Sequence, residues 1–585
     1  MATTDSDVIT TTTADGATQG TRAAAPTRDV RRAATITLVI ICAAVFLTAL
    51  DQLVVATALL PISASLALDF THDIPAISWI ISGYLLGYVI MMPLMGRVSD
   101  LYGRRRVLLA ALVLFAIGSV ICAEAADLGS AFDLGFLKTI GITSPSPALT
   151  WLVIARFIQA VGGGAVVPVA IAAIGDLFGD RRRILALGII GGITEAGGAL
   201  GPLYGALIVQ KWTFLPGGIA LGSSGGKTAH IFDFSQSWQW IFLLNIPLVA
   251  IIVAALFFLW PKRAMNTATT PISARRARRS LDWPGATLLG GALLCTSLGL
   301  GQEAGAVSTL SQAQVSQNNP LLLVAAVVLL LACILVESRT HDPIIPLTIF
   351  RSPAFSAGAL FSLLLGVALI VALISIPLYV FAVFGTDHYI DAGLALLRMT
   401  VMIPIGAFGG GWLVTRIGTR AVGAAGAAAT GIGFLLMHLW SVDTTWSQIT
   451  IGTVIAGLGF GLIVAPISTT ALNTTDARHF GVSAAVVTSL RMIGMMLGLA
   501  GISSWGVGLY QQLASQIPPI RDLTNASQVA AFENALTKVS VHVATNFFLV
   551  GMVLGLLAII PALFLWRPKP GEQRQQGESV ITMGL

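Results

Sequence analysis

Charge is scarce in this sequence. Only 10% of its 585 residues are Asp, Glu, Lys or Arg, while 55% are hydrophobic. A soluble domain carries about 25% charged residues, so a water-soluble globular protein is excluded and a polytopic membrane protein is expected. Cysteine is scarce as well. Cys42, Cys122, Cys295 and Cys333 each fall inside an apolar run, which leaves no disulfide framework and no metal-ligand cluster. The histidines lie in loops or near helix ends without metal-ligand spacing, so no metal site is expected. No GxxxxGK[ST] loop is present, and nothing indicates an ATP-driven motor. No assembled nucleophile or cofactor motif points to an enzyme. The net charge of +6 is no nucleic-acid signal here, because in such a chain the placement of charge matters more than its size. A secretory signal is also missing. Residues 1–30 are polar and rich in Thr and Ala, and the apolar run after them is longer than a signal peptide's core.

What the chain has is apolar runs. They occur at about 34–60, 77–96, 106–124, 149–175, 184–209, 238–260, 283–303, 320–337, 355–381, 390–412, 421–440, 449–472, 482–510 and 541–566. Each can cross a hydrocarbon core of about 30 Å as a helix. An even number places both ends on one side. Of the 33 Lys and Arg, 25 fall on the segments that share a side with the N-terminus, 5 on the opposite segments, and Arg156, Arg398 and Arg491 inside the runs. The positive-inside rule therefore predicts both termini in the cytoplasm. The basic linker at 261–282 reads as a topology anchor touching anionic headgroups. Long opposite-side loops are expected at about 125–148, 210–237 and 511–540, with Asn525–Ser540 able to form a short surface helix.

An internal repeat divides the chain. GRVSDLYGRR at 96–105 can be laid over GWLVTRIGTR at 411–420, and GGGAVVP at 162–168 echoes GFGLIVAP at 459–466. The expected architecture is all-α: a cytoplasmic tail 1–33, a six-helix bundle 34–260, a linker with two extra helices 261–354, a second six-helix bundle 355–566 and a tail 567–585. Paired halves with a substrate site at their interface describe a secondary transporter.

Four ionisable residues in the runs are the candidates for mechanism. Asp51 is the only acid of the first run, and Arg156 in the fourth run is its candidate partner. A charge at that depth costs about 2.5–3.5 kcal/mol or more and is tolerated where it is paired or wet. Asp51 is therefore a candidate proton carrier and Arg156 the group that tunes it. Glu195 lies in GGITEAGGALGPLYGA at 191–206, and Arg491 stands at a similar place in the thirteenth run. A bond between them could join the halves. By helical period Gly191, Glu195, Gly198, Pro202 and Gly205 share one face. Gly197, Gly201 and Gly205, spaced by four, permit close helix approach, and Pro202 bends the helix. In the cytoplasmic loop, Gly96, Asp100, Gly103, Arg104 and Arg105 form a candidate latch, with Asp100 able to pair with Arg104. Arg398 is a secondary charge that can snorkel to the outer interface, with Asp391 as a local alternative partner.

These motifs resemble the fourteen-helix drug–proton antiporter branch of the major facilitator superfamily, over about residues 34–566. Gly96, Asp100, Gly103, Arg104 and Arg105 match its cytoplasmic-loop signature, and Arg156 with Gly164 its proton-coupling motif. Gly197, Gly201, Pro202 and Gly205 match its antiporter motif, and Asp51 with Pro61 its first-helix motif. Within that branch the likeness is strongest to actinobacterial exporters of drugs and triacylglycerides, through stretches such as SWIISGYLLGYVIMMPLMGRVSD (78–100) and HFGVSAAVVTSLRMIGMMLG (479–498). The resemblance implies two six-helix bundles with two extra central helices in a bacterial cytoplasmic membrane. It implies outward movement of a lipophilic drug or lipid, no cofactor, a proton gradient as driving force and a periplasmic lipoprotein partner. The alternatives are a proton-coupled importer and a non-transporting receptor or scaffold. The sequence departs from those exporters in its short turn at 441–448, its enlarged loops at 125–148 and 210–237, and Arg398.

Overall fold

The computed structural model describes residues 28–68, 73–132, 145–177, 180–211, 219–224, 227–231, 236–260, 283–300, 320–340, 343, 347–385, 388–474, 480–518 and 525–566. The long helices among them are α1 (Arg28–Val54), α2 (Ile74–Tyr102), α3 (Arg104–Ala123), α4 (Pro147–Leu177), α5 (Asp180–Lys211), α6 (Asn245–Leu259), α7 (Trp283–Leu300), α8 (Pro320–Arg339), α9 (Pro353–Phe384), α10 (Tyr389–Ile417), α11 (Thr419–His438), α12 (Trp446–Asn473), α13 (Phe480–Ala514) and α14 (Ala526–Leu557). Twelve membrane-crossing segments satisfy length and apolarity alone. The other two expected crossings are α5, whose middle is glycine-rich and carries Glu195, and the 18-residue α7.

Consecutive helices pack into two six-helix bundles with the same internal plan. In the first, α1 packs on α5, α2 and α3 on α4, and α6 on α1 and α3; in the second, α9 packs on α13, α10 and α11 on α12, and α14 on α9 and α11. Glycines make these contacts close. Gly162 lies against the backbone of Ala111 and Phe115, and Gly459 against that of Thr430, so the two repeat motifs do the same work in α4 and α12. The bundles meet along two seams, α5 against α10 and α2 against α13. Thr400 Oγ1 donates to the Ala199 carbonyl at 2.6 Å across the first seam, and Ser489 meets Met92 Sδ at 3.7 Å across the second. The extra pair α7–α8 packs together and lays α7 on α2 and α13; Ala286 meets Leu94, and Gly290 faces Ile90.

Several boundaries differ from the sequence reading. Helix α1 begins at Arg28, inside the expected tail. The surface helix expected at 525–540 is the first half of α14: Asn525 caps it by accepting from Ser527 N and Gln528 N, and no Gly or Pro follows before Gly551 to stop it. The sixth run is split at Leu244 into Gln239–Leu243 and α6, because Pro247 has no N–H to give to the preceding turn. The enlarged segment at 210–237 contains an antiparallel strand pair, β1 (Ile219–Ser224) and β2 (Lys227–Ile231), pairing Ile219 with Ile231 and Ser224 with Lys227; no apolar periodicity announced it.

Candidate functional site

The bends of α1 place the site. The α-helix ends at Val54, tightens to a 3-10 turn at Val55–Thr57 and resumes at Leu59–Ser65. Such mid-helix tightening often marks a hinge. Helix α5 is laid on this stretch by its glycine row. A Cβ at Gly197 would meet the Phe46 carbonyl at 2.7 Å, one at Gly201 the Leu50 carbonyl at 2.6 Å, and one at Gly205 the Val54 carbonyl. Thr57 Oγ1 donates to the Pro202 carbonyl at 2.8 Å. The face expected from helical period is therefore divided. Gly205 belongs with Gly197 and Gly201 against α1, Gly191 has open space, and Gly198 touches only Leu53.

One turn before the hinge, Asp51 is 1% exposed and Arg156 0%. Arg156 Nη1 donates to Asp51 Oδ2 at 2.7 Å and to Gln159 Oε1 at 2.6 Å. Asp51 Oδ1 accepts from Gln159 Nε2 at 3.0 Å and from Asn245 Nδ2 at 2.7 Å. Ser119 Oγ accepts from Gln159 Nε2 at 2.8 Å. The guanidinium lies 4.0 Å over the Tyr84 ring. Side chains of α4 and α6 thus converge on the α1 carboxylate, and Ser119 of α3 braces Gln159 behind it. Taking two charges out of water costs several kcal/mol per ion, and only close pairing with further hydrogen bonds offsets that. Here three donor side chains supply them. The sequence reading found the charges and missed Ser119, Gln159 and Asn245. Gln159 sits three residues after Arg156, on the same face of α4, and Asn245 is one of two amides, with Gln239, in its apolar run; a search for polar rather than only charged residues within the runs would have found both.

Beside this knot the bundles are joined by a second pair. Arg491 Nη1 lies 3.0 Å from Glu195 Oε1, with the side chains 16% and 20% exposed. This links α5 of the first bundle to α13 of the second. Gln52, the neighbour of Asp51, donates Nε2 to Met492 Sδ at 2.8 Å, the neighbour of Arg491.

The loop motif forms a turn repeated in both bundles. Gly103 has φ +89° and Gly418 φ +85°, a region that side chains rarely adopt. Arg104 donates to Ser99 Oγ at 2.6 Å and to the Gly96 carbonyl at 3.4 Å. The Asp100 side chain, and with it the expected Asp100–Arg104 pair, lies outside the described residues. Arg105 donates to the Leu256 and Phe257 carbonyls at 3.2 and 2.6 Å, at the end of α6. Arg420 donates to the Leu565 carbonyl at 2.8 Å, past the end of α14, and Thr419 donates to the Trp566 carbonyl. A cation at a helix C-terminus meets carbonyls that the helix itself leaves unpaired. Each turn therefore fastens the start of the third helix of its bundle to the end of the sixth.

Arg398 is apart from both clusters. It packs over Trp446, 5.1 Å from the ring, and Asp391 pairs with His388 at 2.6 Å instead.

An open apolar pocket lies between the bundles, on the side opposite the start of α1. Its walls include Leu59, Ile77, Ile374, Leu378, Ile502 and Phe547. They present hydrocarbon with a few hydroxyls.

The sequence profile described as Major Facilitator Superfamily matches residues 41–499. A triacylglyceride transporter of Mycobacteroides abscessus is 35% identical over 480 residues, 80% of this chain and 82% of that protein. One of Mycobacterium tuberculosis is 32% identical over 542 residues, 88% of this chain and 92% of that protein. Among solved structures, a bacterial homolog of the human lysosomal transporter Spinster, inward-facing, superposes with TM-score 0.54 at 13% identity, covering 93% of this chain and 100% of its own. A D-xylose–proton symporter superposes with TM-score 0.54 at 16% identity, covering 92% and 98%.

Proposed function

We propose that this chain, which belongs to the Major Facilitator Superfamily and is a transporter rather than an enzyme, is a proton-driven exporter of lipophilic molecules, with neutral lipids of the triacylglyceride class as its principal cargo and lipophilic drugs as further cargo. The observation that carries this reading is the sealed knot of three donor side chains around Asp51, set one turn from a hinge in α1. Protonating Asp51 removes the charge on which those donors converge. The charge-assisted bonds from Arg156 and Asn245 weaken to ordinary ones, Arg156 falls back on Gln159 Oε1, and the hold of α4 and α6 on α1 loosens. The Gln52–Met492 and Glu195–Arg491 contacts carry that shift to the second bundle, so a proton entering from outside exchanges against cargo moving outward. The hydrocarbon-walled cavity between the bundles suits a molecule with long apolar chains, and the relatives that share most of the chain are named for triacylglyceride transport. The distribution of basic segments supports an orientation in a bacterial inner membrane with the start of α1 on the cytoplasmic side, which would put the cavity toward the outside.

The test is pH-gradient-driven flux in reconstituted vesicles, with a labelled triacylglyceride and, separately, a lipophilic cationic dye. Flux of either that needs the gradient and collapses in Asp51→Asn supports proton-driven export. Gradient-dependent flux unaffected by that substitution removes Asp51 from the mechanism, and accumulation in the opposite direction makes the protein an importer.

A further inference from the structure

We propose that Arg398 and Trp446 form a binding site for the phosphate group of an anionic membrane lipid, in the leaflet opposite the start of α1. Arg398 and Arg416 are both on α10, 18 residues apart. At 3.6 residues per turn that is about five turns, so the two share a face; at 1.5 Å per residue they are about 27 Å apart, close to the thickness of a hydrocarbon core. Between them on that face Ile405 is 50% exposed and Trp412 55%. This is the surface α10 turns to lipid. Each arginine lies over a tryptophan, Arg416 over Trp412 at 3.9 Å and Arg398 over Trp446 at 5.1 Å. The two pairs stand where the hydrocarbon ends.

The pairs differ in what surrounds the cation. Arg416 is exposed. Arg398 is only partly exposed, and its Nη1 is sealed from solvent without a hydrogen-bond acceptor among the described residues. No carboxylate among them lies within 4 Å of it, since Asp391, the acid of its own helix, is taken by His388. The shelf beneath it is rigid. Trp446 is the first residue of α12, set by the capping box of Thr445 and Gln448, and Phe384 stacks on it with ring centres 4.8 Å apart and planes at 16°. A guanidinium over a fixed aromatic face, with no acceptor for its inner Nη1 and its side chain still partly exposed, offers its outer edge to a phosphate oxygen. At this depth, on a lipid-facing surface, the available acceptor of that kind is a headgroup. Thr400, two residues along, makes the bond to α5 across the seam, so the headgroup would bear on the helix that holds the two bundles together.

The full chain in neutral detergent would be titrated with phosphatidylglycerol, with phosphatidylcholine and, without lipid, with inorganic phosphate, reading bound lipid by native mass spectrometry and the unfolding midpoint in parallel. The parent should prefer phosphatidylglycerol about tenfold, the size of one charge-assisted hydrogen bond. Arg398→Gln should abolish that preference, Trp446→Leu should weaken it, and Arg416→Gln should leave most of it intact. Arg398→Lys, which keeps the charge and the least disturbed fold, should retain a reduced preference. A preference undiminished in Arg398→Gln, or one lost equally in Arg416→Gln, overturns the site. Protection by inorganic phosphate that is as strong as by the lipid, and absent in Arg398→Gln, would make it a free-anion site and overturn the lipid assignment.

Discussion

The Asp51–Arg156 knot can be separated experimentally into a folding element and a transport element. In Arg156→Leu, Asp51 keeps its amide donors but loses the only cation among the described residues that touches it. In Asp51→Leu, Arg156 loses its carboxylate and keeps Gln159 Oε1, a 3.5 Å contact to the residue-51 carbonyl and the Tyr84 and Phe242 faces. Removing one partner of a buried pair costs about 3–5 kcal/mol, because the other charge stays buried without compensation. In the double variant both charges are gone. What remains is the amide donors of Gln159 and Asn245, which have lost the Asp51 carboxylate; an unmet buried donor costs about 1–3 kcal/mol, and Ser119 Oγ still accepts from Gln159. The double variant should therefore be more stable than either single one, with a coupling energy of at least about 2 kcal/mol, well outside the 0.3–0.5 kcal/mol scatter of independent sites. Unfolding in detergent micelles, followed by helical circular dichroism, measures this. Gradient-driven flux of the three variants in vesicles measures the rest. All three should lack proton-driven flux, although the double variant is better folded. Stabilities that simply add would show that the knot is no energetic unit, and robust gradient-driven flux in the double variant would refute its role in proton coupling.

Further outcomes follow from other contacts. Glu195→Gln should cost no more than about 1 kcal/mol of stability, since the pair with Arg491 is partly open to water, yet it should slow flux; the exchanged pair Glu195→Arg with Arg491→Glu should recover flux, and a failure to recover would argue that the residues act separately. Gly201→Val should destabilise by about 1–3 kcal/mol through overpacking, because its Cβ would meet the Leu50 carbonyl at 2.6 Å, whereas Gly191→Ala, with open space around it, should be neutral or stabilising by up to about 1 kcal/mol; thermal unfolding of the two side by side decides it. Gly418→Val should cost about 1–3 kcal/mol through its positive φ, and Gly103→Val a similar amount, if the two turns are equivalent. Asn245→Leu should impair gradient-driven flux more than Gln159→Asn does, because Asn245 supplies a donor from α6 that no other residue replaces.

Much of this site could be read from residue type, and the reason is the membrane. Carboxylates and guanidinium groups are so costly in hydrocarbon that Asp51, Arg156, Glu195 and Arg491 stood out without any structure, and their pairing followed from there being so few partners. The repeat was legible because its turns need glycine at Gly103 and Gly418 and a cation just after. Uncharged groups were not legible in the same way. Asn245, Gln159 and Ser119 cost less to bury, so a spanning run absorbs them without a visible break in hydropathy. Arg105 and Arg420 read as matching members of the repeated loop, but their carbonyl partners at the ends of the sixth helix of each bundle lie 145 to 152 residues away and only three-dimensional contact shows them. The hairpin of β1 and β2 was missed because a two-stranded pair outside the bilayer needs no long alternation of apolar residues. The split before α6 shows the reverse error: its run is apolar enough to read as one span, and hydropathy does not register the missing N–H of Pro247.

The placement of these groups along α1 argues for how a proton could move a whole bundle. Within seven residues α1 offers Asp51 to α4 and α6, Gln52 to α13, and Thr57 to α5. The last of these closes the 3-10 turn Val55–Thr57, where one fewer residue per hydrogen-bonded ring leaves the backbone easier to rewind. The backbone of α5 touches α1 through glycines at Gly197 and Gly201 with no side chains between, so a rotation of α1 cannot be absorbed by rotamer changes and must be passed on. In the proposed cycle, loss of the Asp51 charge loosens the hold of α4 and α6 on α1. The strain then appears at the contacts that remain, Gln52–Met492 and Thr57–Pro202, and these lead to the second bundle and to the bend in α5. A cross-link between α1 and α5 at Ala49 and Gly197, where a Cβ on the glycine would lie 2.9 Å from the Ala49 Cβ, should therefore leave transport intact, because those two helices move together. A cross-link between α1 and α13 at Gln52 and Met492 should stop it. Transport that survived the second cross-link would place the moving boundary elsewhere.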